Sequence, residues 1–253
     1  MKQGKRVNKK NLGFLDGLKF EAGTLRDLSS TVLLAKGANG NAYHLVNAHT
    51  LVEAHEDSSL YSILSKDILL CDGKPLSFFL SRMDPSVKQV RGADFMRHVL
   101  VASSSSTRHY LLGSTNEVLD ELIKSIKAMN PEANVVGYHS PAFEVEYLSS
   151  VPVWIEMIKK SQASIVWVGL GTPKQDFVSH EIAKSISCEV IAVGAAFDYL
   201  AHTISEAPKL FQILYLEWLW RLFKEPRRLM RRYLVGNLKF IRIMVLQLIH
   251  GNF

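Results

Sequence analysis

The chain has 253 residues, and a hydrophobic content of 47% suffices for one large domain or for one domain with an appendage. The two cysteines, Cys71 and Cys188, exclude a disulfide framework, and no Cys/His group has zinc-site spacing, so we expect reduced core thiols in the cytoplasm. The net charge of +6 is concentrated in residues 209–253, which argues against a general nucleic-acid coat and favours one local anionic partner.

The N-terminal segment is basic, and no apolar stretch follows it. No run of about 18 uncharged apolar residues occurs anywhere in the chain. We therefore expect neither a signal peptide nor a transmembrane helix, and we interpret residues 1–12 as a flexible tail.

Short apolar runs then alternate with helical patterns. Strands are predicted at Thr31–Leu34, Ala42–Val46, Asp67–Cys71, His109–Leu112, Asn134–Tyr138, Ala163–Val168 and Glu189–Val193. A glycine turn is predicted at 36–41, and helices are predicted over 48–64, up to Arg82, after Asp94, up to Met129, over Val151–Ser161 and over Phe177–Ser187. This alternation over roughly 170 residues predicts an α/β fold, a Rossmann-like, doubly wound parallel sheet with helices on both faces.

The character of the chain changes after Pro208. Leu, Trp and Phe dominate residues 210–222, the sequence EPRR at 225–228 marks a break, and a basic amphipathic helix is predicted over Leu229–Ile249. We therefore divide the chain into an α/β core over 1–208 and a C-terminal, basic helical appendage over 209–253.

Two acidic residues stand where such a sheet places its chemistry. Asp72 ends a buried strand in a DGKP turn, where a partly buried carboxylate can act as a general base, although a plain turn-forming role is the alternative. Asp198 follows the turn GAAF, and there the alternative is a helix cap.

The run GLGTPKQ at 169–175 predicts a ligand-facing loop after a strand. It is only part of a dinucleotide fingerprint, because Lys174 stands where the third glycine belongs, and this disfavours a nicotinamide-dependent oxidoreductase. Gln175 can hold a sugar or a phosphate from this loop, or it can be a solvated residue at a helix N-terminus.

Arg221, Arg228 and Arg231 fall at spacings of seven and three, which places them in one stripe if the helix is continuous across Pro226. Such a stripe is usually a solvated face, but the neighbouring Trp and Phe residues favour contact with a diphosphate or a lipid headgroup. No Asp-x-Asp occurs, and we interpret Glu144-Val-Glu146 as surface charge, so no metal site is expected.

Seven motifs follow one another from about Asn47 to Asn237. They are VNAHT at 46–50, CDGKP at 71–75, RGAD at 91–94, YLLGS at 110–114, VGLGTPKQD at 168–176, VGAAFDYLA at 193–201 and EAPKLFQILYLEWLWRLFKEPRRLMRRYLVGN at 206–237. In this order they resemble the WecG/TagA/CpsF family of bacterial glycosyltransferases, which includes N-acetylmannosaminyltransferase-like members. The last motif is the longest and the most specific.

The resemblance implies an inverting, metal-independent transfer of a sugar from a UDP-sugar, with no cofactor. The implied acceptor is a sugar on an undecaprenyl diphosphate lipid, at the cytoplasmic face of the membrane, in cell-surface polysaccharide synthesis. The implied general base falls on Asp72. The implied substrate-binding residues are Asn47, Arg91, Gln175, Asp198, Arg221, Arg228 and Arg231, with looser spacing at Arg91.

One departure from the family leaves the donor sugar open. Members with a Thr two residues before the first-motif Asn use it near the sugar, whereas this chain has Leu45 there, and Thr50 is the candidate substitute. N-acetylmannosamine, its uronic acid and glucose all remain candidate donors.

Two function classes follow from these residues. The first is a peripheral-membrane, UDP-sugar-dependent glycosyltransferase. The alternative is a non-catalytic membrane-surface adaptor with a nucleotide-binding α/β core. The apolar face of the appendage also fits a subunit contact, so a homo-oligomer stays open, and no nucleic-acid partner is expected.

Overall fold

The computed structural model describes residues 15, 17–35, 40–142, 147–208, 211, 217–224 and 226–250, without the side chains of 217, 221, 227–229, 231–234 and 248–250. The strands are β1 Asn41–Val46, β2 Ile68–Cys71, β3 Arg108–Gly113, β4 Asn134–His139, β5 Ile165–Gly169 and β6 Glu189–Ala192. They form one sheet in the order β2-β1-β6-β5-β3-β4, and every pairing is parallel. The apolar runs of the other five strands suit parallel strands that are buried on both faces, whereas the edge strand β4 is only partly buried.

The helices alternate with the strands and then continue alone. They are α1 Leu25–Ala35, α2 Ala48–Glu56, α3 Ser58–Leu64, α4 Lys74–Met83, α5 Gly92–Ala102, α6 Asn116–Met129, α7 Val151–Ser161, α8 Lys174–Ser185, α9 Ala196–Leu200, α10 Glu217–Lys224 and α11 Pro226–His250. The predicted α/β fold with a C-terminal helical segment is confirmed.

Six of the predicted strands are present to within two residues at each end, but the strand predicted at Thr31–Leu34 is wrong, because these residues lie in α1. Thr24 and Asp27 start this helix reciprocally, since each side chain accepts a hydrogen bond from the backbone N–H of the other, at 3.3 and 2.9 Å. Leu28 and Val32, one turn apart, bury one helical face against the sheet. The four-residue apolar run therefore belongs to a period of 3.6 rather than 2.

The helix predicted over 48–64 is split in two by Asp57. Its backbone is extended, it closes α2, and its carboxylate accepts from the backbone N–H groups of Ser59 and Leu60 to start α3. The predicted tail at 1–12, most of the turn at 36–41 and the pair at 144 and 146 lie outside the described residues.

Helices cover both faces of the sheet. Buried side chains of α1, α5, α6 and α9 form the core on one face. On the other face, α7 and α8 pack over the middle of the sheet, and α2, α3 and α4 pack over the β1–β2 end. The carboxyl ends of the strands therefore remain as an edge between two helical layers.

The last helix contributes to this core. Phe240, Ile243 and Met244 of α11 are buried with side chains of α2 and α4, and the rings of Phe79 and Phe240 meet edge to face at 5.8 Å. No described helix combines the length and the apolar content that a membrane crossing requires.

Candidate active site

Four of the predicted site residues follow the carboxyl ends of four neighbouring strands. Asn47 follows β1, Asp72 follows β2, Gln175 follows β5 and Asp198 follows β6. These strands stand in the order β2-β1-β6-β5 and run in parallel, so their ends lie side by side at one edge of the sheet. Ligands of open α/β sheets bind at this edge.

Backbone hydrogen bonds hold the Asp72 loop against its neighbours. The N–H of Asp72 donates to the carbonyl of Val46 at 2.7 Å, and the N–H of Val90 donates to the carbonyl of Cys71 at 2.8 Å. The residues that follow Val46 and Val90 are Asn47 and Arg91, so three of the predicted residues start from adjacent points of the backbone. Asp72 itself is half-buried.

Gly73 supplies the positive φ that this loop requires. Its φ is +84°, and a Cβ placed on it would lie 3.5 Å from the Cβ of Asn47. Its neighbour Cys71 is not a candidate nucleophile, because burial and then the Asp72 carboxylate raise the pKa of its thiol to about 12. Both cysteines are buried and reduced, as predicted.

The Asn47 side chain caps the helix that follows β1. Its Oδ1 accepts hydrogen bonds from the backbone N–H groups of His49 and Thr50, at 3.0 and 3.2 Å, and so caps α2. The Thr50 hydroxyl is buried and donates to the same Oδ1 at 3.4 Å, while Leu45 is buried against the α5 side of the sheet. Thr50 therefore supports Asn47 and does not present its hydroxyl at the protein surface.

Gln175 lies buried between two strand-end loops, only 4% exposed, so it is not a solvated helix-end residue. Its Oε1 accepts from the N–H of Gly171 at 3.0 Å, which fixes the loop after β5. A Cβ on Gly194, in the loop after β6, would lie 3.5 Å from the same oxygen. The amide thus sits where the β5 and β6 loops meet.

Asp198 is placed by a tight contact between strand ends. A Cβ on Gly169, at the end of β5, would lie 2.9 Å from the ring of Phe197, so only glycine admits α9 at this distance. Asp198 lies inside α9, half-buried, and its carbonyl accepts from the N–H groups of Thr203 and Ile204. Its side chain therefore does not serve as the N-cap.

The contact between β3 and β5 leads to a prediction. Gly113 has φ +129°, and a Cβ there would lie 2.4 Å from the carbonyl oxygen of Gly169. We expect Gly113→Ala to lower the free energy of unfolding by about 2 kcal/mol in denaturant titrations, because backbone must move on both strands.

A matched control is Gly236→Ala in α11, where an added Cβ meets no atom of the described residues outside its own helix backbone within 4 Å. This change should raise stability by about 0.5–1 kcal/mol, since Ala is the better helix former. Equal effects of the two substitutions would contradict the proposed packing at Gly113.

Arg91 is engaged by two carboxylates. Its guanidinium bonds Asp94 at 3.2 Å and Glu206 at 3.4 Å, and Arg97 bonds the same two residues at 3.0 and 2.7 Å. Burial raises the pKa of Glu206, but the two guanidinium groups outweigh it and the net direction is down, so the network holds two charges of each sign. Glu206 opens the EAPK motif, and thus the network ties the start of α5 to the C-terminal segment.

The sequence reasoning missed Arg97 and Glu206, because ion pairs over such separations leave no local pattern. The one available signal is that Glu206 begins the EAPK stretch, which opens the longest of the seven motifs. Arg221, Arg228 and Arg231 lie on α10 and α11, but their side chains are outside the described part of the chain. Among the described residues, no group of three or more His, Cys, Asp or Glu is arranged to hold a metal ion.

Comparison with known families gives a nearly full-length match. The family model for "Glycosyl transferase WecG/TagA/CpsF family" matches residues 14–252. The resemblance drawn from the seven motifs is confirmed by this match.

Proposed function

The chain belongs to the WecG/TagA/CpsF family of glycosyltransferases, and we propose that it transfers a sugar from a UDP-sugar to a polyprenyl-diphosphate-linked sugar. The family implies glycosyltransferase activity in cell-surface polysaccharide synthesis. The donor class, the acceptor class and the inverting, metal-independent mechanism are our proposal. The observation that carries it is the half-buried Asp72, whose backbone is hydrogen-bonded to Val46, the residue before Asn47, at the edge of the sheet where ligands bind.

The proposed reaction is a single displacement. The acceptor hydroxyl oxygen forms a bond to C1 of the donor sugar while the bond from C1 to the phosphate oxygen breaks, and UDP leaves with that electron pair. The hydroxyl proton passes to the carboxylate of Asp72, and the configuration at C1 inverts. A carboxylate held in position for this transfer supplies roughly 10²–10⁴-fold in rate.

The other site residues have binding roles in this proposal. Asn47 and Gln175 offer amide groups to the sugar or the phosphates, and Asp198 offers a carboxylate to hydroxyl groups. Arg91 offers its guanidinium to a phosphate in this proposal, beside its carboxylate partners Asp94 and Glu206. In this proposal, Arg221, Arg228 and Arg231 stabilise the negative charge that develops on the leaving UDP.

The proposal includes peripheral attachment to the cytoplasmic face of the membrane through α11. Besides its buried side, this helix exposes Leu238, Ile241 and Val245, at spacings of three and four. The exposed Lys239 and Arg242 lie among them. Apolar side chains flanked by cations bind anionic lipid interfaces through burial and charge together.

The test of function is a donor screen. The protein is incubated with a lipid-linked sugar acceptor and single UDP-sugars, including those of N-acetylmannosamine, its uronic acid and glucose, and the lipid product is analysed by mass spectrometry. We expect one donor to add one sugar to the acceptor and release UDP. Vesicle binding without transfer from any donor would favour the membrane-surface adaptor instead.

A further inference from the structure

A buried histidine on β1 joins the sheet to the first turns of α8. His44 lies in β1 and is fully buried. Its Nδ1 is 2.9 Å from Oδ1 of Asp176, and its Nε2 is 3.0 Å from Oδ2 of Asp67, which in turn is 2.8 Å from Nδ1 of His180. We refer to these four side chains, Asp176, His44, Asp67 and His180, as the His44 bridge.

The imidazole of this bridge carries a positive charge at neutral pH. Both ring nitrogens face carboxylate oxygens, which only accept, so both nitrogens must donate. Burial lowers the pKa of His44, but the hydrogen bonds to Asp176 and Asp67 outweigh it and raise the pKa to about 9. Burial raises the pKa of Asp67, but its bonds to the two histidines outweigh that effect and the net direction is down.

The bridge holds α8 at two points that are one turn apart. Asp176 and His180 both lie on α8, whereas His44 and Asp67 belong to β1 and to the turn before β2. The helix is therefore fixed in rotation as well as in position. Titratable groups near the bridge include Tyr147, whose phenol pKa burial and then Asp176 raise, and Lys174, which lies 4.5 Å from the Tyr147 ring centroid. Lys66 and Lys184 line the same cavity as Asp67 and His180.

Asp176, the first of these two attachment points, is next to the candidate substrate-binding residue Gln175. Asp176 directly follows Gln175, and both are buried in the first turn of α8. The N–H groups of this turn donate to the carbonyls of Gly171 and Pro173, so the turn and its loop move together. The Oδ2 of Asp176 has no hydrogen-bond partner among the described residues, so Oδ1 and His44 carry the attachment.

We infer that the His44 bridge positions Gln175 for the nucleotide-sugar, which makes His44 and Asp176 positioning residues of the transfer reaction. The inference rests on the proposed function, because it assigns Gln175 to the donor. Without the imidazolium, the buried Asp176 and the partly buried Asp67 lose their shared partner. The first turn of α8 then loses the contact that fixes the position and orientation of the Gln175 amide.

A double-mutant cycle tests this inference. UDP affinity is measured by calorimetry for the unmodified protein, His44→Gln, Gln175→Ala and the double variant. We expect each single change to weaken UDP binding about tenfold. The double variant should be no weaker than Gln175→Ala alone, because the first change acts through the second residue.

The control is His109→Gln, a second fully buried histidine, which bonds Trp167 and Ser103 on the other side of the sheet. This variant should lose stability without losing UDP affinity. If His44→Gln does not fold, Asp176→Asn replaces it in the cycle, since the amide keeps the shape of the carboxylate.

The outcomes separate the two proposals. If the protein binds UDP and the fold-losses of affinity caused by the two substitutions multiply in the double variant, the positioning role is overturned and the proposed function stands. If the unmodified protein binds no UDP, the proposed function is overturned and this inference falls with it.

The charge of the bridge predicts a pH dependence. The pKa of His44 is about 9 in the folded protein, against 6.5 for an ordinary histidine. The contribution of the His44 charge is therefore complete below about pH 6.5 and is lost as the pH rises through about 9. We expect the melting temperature to fall between neutral pH and about pH 10 more steeply in the unmodified protein than in His44→Gln, and UDP affinity to follow. Equal pH profiles of the two proteins would refute the charged bridge.

Discussion

Replacing Asp72 with Asn is expected to lower the turnover number about a thousandfold, because the amide cannot take the proton of the acceptor hydroxyl. The fold should persist, since it is the backbone N–H of residue 72 that bonds the carbonyl of Val46. UDP affinity should stay within about twofold, because a base that acts on the acceptor contributes to the transition state and little to ground-state binding. Turnover is measured as UDP release with a saturating lipid-linked acceptor.

Asp84→Asn is the matched control for this experiment. Asp84 stands at the far end of α4, the helix that begins after the Asp72 loop, and its Oδ1 accepts from the N–H of Ser86 at 2.9 Å. An Asn oxygen accepts the same bond, so activity and stability should not change. Turnover of Asp72→Asn within about threefold of the unmodified enzyme would remove Asp72 as the general base. A matching loss of UDP affinity would instead assign Asp72 to donor binding.

The double substitution Leu238→Asn with Ile241→Asn is expected to lower partition onto anionic vesicles about a hundredfold. Both side chains are exposed on α11, at 71% and 52%. Full burial of such a side chain is worth about 1.5–3 kcal/mol, so losing two partly inserted ones removes about 3 kcal/mol. Co-sedimentation with vesicles measures the effect, and added salt should weaken what remains, because that part is electrostatic.

The control for membrane binding is Val101→Asn with Val153→Asn. These residues are comparably exposed, at 53% and 61%, but belong to α5 and α7 and not to the basic segment. This pair should leave vesicle partition unchanged, and neither pair should alter UDP affinity. Unchanged partition of the α11 variant would contradict the membrane role. A change in its oligomeric state without a change in partition would assign the face to a subunit contact.

Substitutions test this role better than removal of residues 209–253. Phe240, Ile243 and Met244 are buried with α2 and α4, so removal would open the core beneath the first two strands. The division at 208/209 stays a prediction. The structure shows that the last helix has one side in the core and one side exposed. The periodicity of a basic, apolar-rich helix does not reveal this distinction by itself.

The sequence alone determined the fold class and indicated where to look for a candidate site. Strands buried on both faces require continuous apolar runs, and six such runs, each followed by a loop and a helix, indicate a parallel sheet. Asp72, Gln175 and Asp198 were found because the carboxyl end of a strand is a position that the chain order reveals. The strand prediction at Thr31–Leu34 was wrong because four residues are too few to distinguish the period of a strand from that of a helix.

Only the tertiary structure decided which groups meet. Strand order is set by helix packing over the whole sheet, so no local pattern could show that Asp72, Asn47, Asp198 and Gln175 follow four adjacent strands. Arg91 meets Glu206, and His44 meets Asp176, across more than a hundred residues of chain. A hydrogen bond or an ion pair depends on distance in space, and in this chain the sequence fixes that distance only through the packing of every element in between.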